Sequence, residues 1–141
     1  MMSEAGFSLH PQLAKDTFVV GDLPLSRVLL MNNRHYPWLI LVPRRADLRE
    51  IHELDAADQQ LWLKEHNLVS NEVMRMFPTE KLNFAAIGNM VPQLHLHYVS
   101  RNAADVQWPK PVWGGPAEAY EQEEAEARIA LVQVALGLSG K

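Results

Sequence analysis

Two histidines spaced two apart, in the stretch Gln93-Leu94-His95-Leu96-His97-Tyr98-Val99, are the residues of this chain best suited to chemistry. Side chains alternate between the faces of an extended strand. Gln93, His95, His97 and Val99 therefore share one side and Leu94, Leu96 and Tyr98 the other, with same-side neighbours roughly 6.6 Å apart. The second set reads as core packing. The first would make a poor apolar face and an unusual solvent face. On the residues alone, three uses of the pair compete. The histidines could lie partly exposed on an edge strand. They could present two nitrogens to zinc or another transition ion, although no Asp, Glu or Cys joins them on their face and the nearest downstream acid, Asp105, falls in the loop beyond. Or one imidazole attacks phosphorus while the other supports the charged phosphoryl oxygens.

A nucleophilic histidine must be neutral with one nitrogen lone pair free, so its other nitrogen has to be held as a donor, commonly to a backbone carbonyl. A neighbouring imidazole helps, because two adjacent cations repel and at least one pKa falls. The Gln93 carboxamide donates and accepts hydrogen bonds but cannot shuttle a proton. Phosphate charge would be met by His97, that amide and backbone N–H groups near Gly88 to Met90, with no metal. The chain lacks a GxxxxGK[ST] loop and is not a P-loop NTPase. The remaining histidines, His10, His35, His52 and His66, are scattered and read as surface or locally bonded, with His66 half-buried among Trp62, Val69 and Val73, and His35, in the loop before Trp38, the one of the four that is also a candidate ligand contact. Arg44 and Arg45, following an apolar run, read as solvated.

The chain that carries these residues has 141 of them, no cysteine, 13 Lys+Arg against 17 Asp+Glu and a net charge of −4. That length fits one domain with one core. Without cysteine there is no disulfide scaffold, thiolate nucleophile or Cys-ligated metal centre. The negative balance argues against holding long nucleic acid by its phosphates. A small anion needs only local donors. The N-terminal stretch lacks the basic and apolar regions of a secretory signal, and the apolar runs are too short to span a bilayer, so a soluble cytoplasmic protein is expected.

The elements that must position the histidines follow from pattern. His10 to Asp16 reads as a short helix with Pro11 in its first turn, and Thr17 to Gly21 as a strand. Ser26 to Asn32 and Trp38 to Val42, joined by a short polar segment, suggest an antiparallel pair. Asp55 is a good N-cap for a helix running to Phe77, whose Trp62, Val69, Val73 and Met76 form a stripe that covers one face of a sheet. Lys81 to Ile87 and Gln93 to Arg101 are strands. A second long helix is expected from about Ala117 to 136, stopped by Gly137, with its acidic first half solvated. The order gives an α+β domain over 1–141 with a mostly antiparallel five-stranded sheet and two long helices.

With these elements in place, Gln93 to Val99 resembles the His-φ-His-φ-His-φ-φ motif of the histidine triad (HIT) superfamily of nucleotide hydrolases and transferases, with glutamine at the first position. The run Asn32 to Arg45, ending apolar, proline and basic, is similar to the family's nucleoside-binding strand pair, and Gln107-Trp108-Pro109 to its His-Trp-Pro loop. The resemblance covers residues 28–113, and proteobacterial members with glutamine at the first triad position are especially similar. It implies a HIT-like fold and displacement at the α-phosphate of a nucleotide conjugate, a dinucleoside polyphosphate or a nucleoside phosphoramidate. His95 would be the nucleophile and His97 a donor to phosphate. Asn32 or Asn33 would meet the ribose, Met31 the base, and Asn89 with the Met90 backbone the phosphate oxygens. It also implies no required cofactor or metal, a small-molecule nucleotide substrate and a homodimer in which part of the Trp108 to Trp113 loop contacts the partner. Gln93, and Trp38 where many members carry histidine, depart from the pattern and bear on leaving-group protonation. The alternative is a nucleotide-binding regulatory protein on the same scaffold.

Overall fold

A computed structural model describes residues 4–138; the outermost residues of the domain expected over 1–141 lie outside the described residues. Helix α1 (Pro11–Asp16) leads into strands β1 (Thr17–Asp22), β2 (Ser26–Met31) and β3 (Trp38–Pro43). A 3-10 turn (Ile51–Glu53), helix α2 (Ala56–Met76), strands β4 (Lys81–Ala85) and β5 (Leu96–Arg101), and helix α3 (Gln122–Leu136) follow. The strands form one antiparallel sheet in the order β1-β2-β3-β5-β4. This is the expected α+β architecture, a mostly antiparallel five-stranded sheet with two long helices.

Both faces of the middle strands are covered, which is why WLILV reads as a continuous apolar run rather than an alternating one. On one face Leu39, Leu41, Leu96 and Tyr98 pack against Val69 and Val73 of α2 and Val132 and Leu136 of α3. On the other, Trp38, Ile40, Val42 and Val99 pack with Leu13 of α1 and with Val91 and Val112 from loops. The histidines emerge on this second face. The Asp55 side chain caps α2 by accepting from Asp58 N–H at 2.8 Å. The Glu65 carboxylate, buried beneath the β1–β2 turn, accepts from the N–H groups of Leu25 (2.6 Å) and Ser26 (3.0 Å). Burial raises its pKa, and those hydrogen bonds oppose the rise.

Three expectations are corrected. Strand β5 begins at Leu96 rather than Gln93, because Leu94 N–H donates to Leu48 O and the Gln93 side chain bonds the N-terminal segment, drawing these residues away from the sheet. Helix α3 begins at Gln122 rather than near Ala117. The backbone from Pro116 to Tyr120 is committed to the β2–β3 loop: Asn33 Nδ2 donates to Pro116 O, Glu118 N–H to Asn33 Oδ1 and Tyr120 N–H to Asn32 Oδ1. The helix ends, as its glycine signals, at Gly137 in the left-handed region (φ 68°).

Arg44 and Arg45 are buried, not solvated. Arg44 donates to the carbonyls of Leu23 and Pro24, and Arg45 makes a two-pronged bond to Asp58 at 2.8 and 3.0 Å. Asp58 is fully buried, so removing one partner strands a charge in a dry interior. Asp58→Ala is expected to destabilise the fold by about 3–5 kcal/mol, read as a fall in the urea midpoint.

Candidate active site

His97 sits in β5 opposite Ile40 of β3 and Ala85 of β4, so its backbone is held by a strand on each side. Trp38, one pleat along β3 on the same face, donates its indole N–H to His97 Nδ1 at 3.0 Å. An indole nitrogen can only donate. His97 Nδ1 is therefore the acceptor, and the neutral ring carries its proton on Nε2. Burial, and then the proximity of His95, push the His97 pKa down to about 3, so the ring is a neutral donor throughout the ordinary pH range.

His95 precedes β5, with its ring centroid 5.0 Å from that of His97. Its Nδ1 lies 2.7 Å from the carbonyl oxygen of Gln93. A carbonyl can only accept, so Nδ1 carries the proton and neutral His95 has its lone pair on Nε2. The two rings thus hold opposite tautomers: one offers a lone pair and the other an N–H. Trp113 closes the group, its ring 5.0 Å from His97 and 5.7 Å from Trp38.

Both histidines line a cavity of about 390 Å³, together with Gln12, Leu13 and Asp16 of α1, Met31, the Gly88 to Val91 turn and Trp113. A second cavity of about 360 Å³, lined by Lys15, Asn32, Asn33 and Trp38 among others, shares Asp16, Met31 and Trp113 with it. Each is of the size that holds a small organic ligand. Met90 is 92 % exposed, which leaves its backbone rather than its side chain as the polar group at the rim. Among the described residues, no protein acceptor takes the N–H groups of Asn89 or Met90. No group of three His, Cys, Asp or Glu side chains suited to a metal ion occurs among the described residues. Asp105 is bonded to the buried Arg101 at 2.7 and 3.1 Å.

The structure brings His95, His97, Met31, Asn89 and Met90 around the first cavity and places Asn32 and Asn33 along the second. Gln93 lines neither, though it borders a small cleft with His95, Ile87 and Gly88. Its carboxamide accepts from His10 N–H and donates to Ser8 O, each at 2.8 Å, and it lines a separate groove with His10 and Arg49. His35 lines neither cavity and stands 3.7 Å from Glu118. His66 is half-buried as expected, bonded to the Tyr98 hydroxyl at 2.9 Å. Sequence reasoning missed the walls contributed by Gln12, Leu13, Lys15 and Asp16. The helix itself was visible, but nothing in its residues points to the histidines. It also missed the donor role of Trp38, which the resemblance marked only as a departure from the family pattern.

Comparisons with known proteins give the family and the fold that carry this geometry. The HIT domain family profile matches residues 12–104, and the chain belongs to that family. Its members are generally nucleotide hydrolases or transferases. A histidine triad protein from Marinobacter aquaeolei VT8 is 46% identical, with a TM-score of 0.90 over 94% of this chain and 98% of that one. A histidine triad protein from Bradyrhizobium japonicum is 43% identical (TM-score 0.89, 92% and 98% covered). One from Sinorhizobium meliloti 1021 is 41% identical (TM-score 0.90, 94% and 99% covered). Among curated proteins, no match was found.

The depressed His97 pKa ties stability to pH. The unfolded ring binds a proton below about pH 6.5, whereas the folded ring stays neutral down to about pH 3. Stability therefore falls as pH drops through that window. Between pH 7 and 5 this one ring costs about 2 kcal/mol. His97→Gln is expected to show a shallower loss over the same interval in urea unfolding, by about that amount.

Proposed function

We propose that this chain is a nucleotide hydrolase or nucleotidyl transferase acting at the α-phosphate of a nucleotide conjugate, a dinucleoside polyphosphate or a nucleoside phosphoramidate. The observation that carries this reading is the pair of opposed tautomers: a lone pair on His95 Nε2 beside an N–H on His97 Nε2, both lining one cavity. His95 Nε2 attacks the α-phosphorus and the bond to the leaving group breaks. The leaving group departs with its electron pair and is protonated from water. A nucleotidyl-histidine remains, which water or an acceptor alcohol cleaves at the P–N bond, returning neutral His95. The His97 N–H and the N–H groups of Asn89 and Met90 face the charge that grows on the phosphoryl oxygens. Asn32 or Asn33 meets the ribose, and Met31 the base.

This scheme requires no cofactor and no metal. We place the chain with proteobacterial HIT proteins carrying glutamine at the first triad position, working in the cytoplasm as a homodimer on small nucleotide substrates and not on long nucleic acid. Among the described residues, no helix is long and apolar enough to cross a membrane. The second reading, nucleotide binding with little chemistry, draws on one observation: the first motif position is Gln93, a carboxamide that does not titrate and is held by Ser8 and His10, so the motif supplies no third titratable group to protonate a leaving group.

Acid-quenched mass spectrometry after incubation with nucleotide conjugates separates the two. A nucleotidyl adduct on His95 is expected, with release of the mononucleotide on longer incubation. His95→Ala should form no adduct and lose about 10⁴-fold or more in turnover while still binding nucleotide. Binding without an adduct in the wild-type chain would favour the second reading.

A further inference from the structure

The residue that departs most visibly from the triad pattern, Gln93, lines neither cavity, and its side chain bonds groups 83 and 85 residues earlier in the chain. The carboxamide oxygen accepts from His10 N–H and the amide nitrogen donates to Ser8 O. These bonds grip the chain immediately before α1. That helix has six residues, too few to hold its shape alone. Its other supports include the His10 side chain accepting from Gln12 N–H (3.0 Å), Gln12 Nε2 donating to Asp16 Oδ2 (2.8 Å), Thr17 Oγ1 donating to Leu13 O (2.6 Å), Asn32 N–H donating to Asp16 O (3.1 Å) at its C-terminal end, and the buried Leu13. Gln12, Leu13 and Asp16 of this helix form one wall of the histidine cavity, and Lys15 and Asp16 form part of the next. The same Gln93, through its carbonyl, orients His95.

We propose that Gln93 is a positioning residue: by clamping residues 8–10 it holds α1 against the site, so that the wall for the non-reacting part of the substrate is tied to the residue that aims the nucleophile. The inference rests on the function proposed above for its kinetic consequence, though not for the clamp itself. Substrate binding uses the wall in the ground state and the transition state alike, so loosening it raises KM and leaves kcat nearly unchanged. A donor to the transferring phosphoryl would behave in the opposite way.

The test compares the wild-type chain with Gln93→Met, which keeps the length of the side chain and loses both bonds. His10→Pro removes only the N–H of the clamp along with the His10 ring; His10 has φ −55°, which proline accepts. His10→Ala controls for the ring. Expected for Gln93→Met are a KM raised about tenfold, a kcat within about threefold, and faster hydrogen exchange confined to residues 8–16. Adding His10→Pro to Gln93→Met should raise KM by much less than His10→Pro does alone relative to His10→Ala. A fall in kcat at unchanged KM, or unaltered exchange over residues 8–16, overturns the proposal. Absence of turnover in the wild-type chain would count against the proposed function, while the exchange comparison still decides the clamp.

Discussion

The site depends on one asymmetry of hydrogen bonding: an indole N–H can only give a proton and a peptide carbonyl can only receive one. Trp38 and the Gln93 carbonyl sit on the Nδ1 atoms of the two histidines, one as donor and one as acceptor. Chemically similar rings are thereby fixed as opposites. Were a carbonyl on both, each ring would offer a lone pair and no donor would face the phosphate. Were a donor on both, no ring nitrogen would be free to attack. The tryptophan is a partner whose hydrogen-bonding role does not change with pH, and it adds apolar bulk that keeps His97 dry and neutral.

That asymmetry needs a rigid frame, and the sheet supplies it. Trp38 lies on β3 and His97 on β5, paired in a fixed register through the centre of the sheet, with both faces of both strands buried. A slip of one residue would turn either side chain to the α2 face. The packing of Val69 and Val73 under Leu96 and Tyr98 therefore holds the imidazole geometry on the opposite face, although none of these residues comes near it. The loop carrying Trp113 is fixed in the same indirect way, by Arg101, which bonds Asp105 and Lys110 O beneath the Tyr36 and Trp108 rings.

Local patterns in the sequence were read correctly where the cause was local. The β2–β3 pair, the Asp55 cap, the α2 stripe and the Gly137 stop each express a preference of a few neighbouring residues, and each is where the pattern placed it. The misreadings share a different cause. The start of β5, the delayed α3 and the buried Arg44 and Arg45 are all decided by partners in other elements, 13 or more residues away: Leu48 for Leu94, Asn32 and Asn33 for the 116–120 segment, Asp58 for Arg45. A polar side chain advertises that it will bond, not with whom. Gln93 shows this most sharply. Alternation put its amide beside the histidines, whereas two backbone groups more than eighty residues earlier in the chain draw it away.

The disposition of charge follows the same logic and explains how an acidic chain can take an anion. Most of the guanidinium groups are spent internally: Arg45 on Asp58, Arg101 on Asp105, Arg44 on turn carbonyls, and Arg27, Arg34 and Arg75 on surface carboxylates. Among the described residues that line the two cavities, Lys15 is the one permanent cation, and Asp16 stands beside it. A bound phosphate must therefore be met mainly by oriented dipoles, the His97 N–H and the free N–H groups of the Gly88 to Val91 turn. Such dipoles are strongest where water is excluded and weak in open solvent. A site of this kind discriminates through closure rather than through long-range attraction. The walls that shut out water, Trp113 among them, are then as much a part of phosphate recognition as the donors they surround.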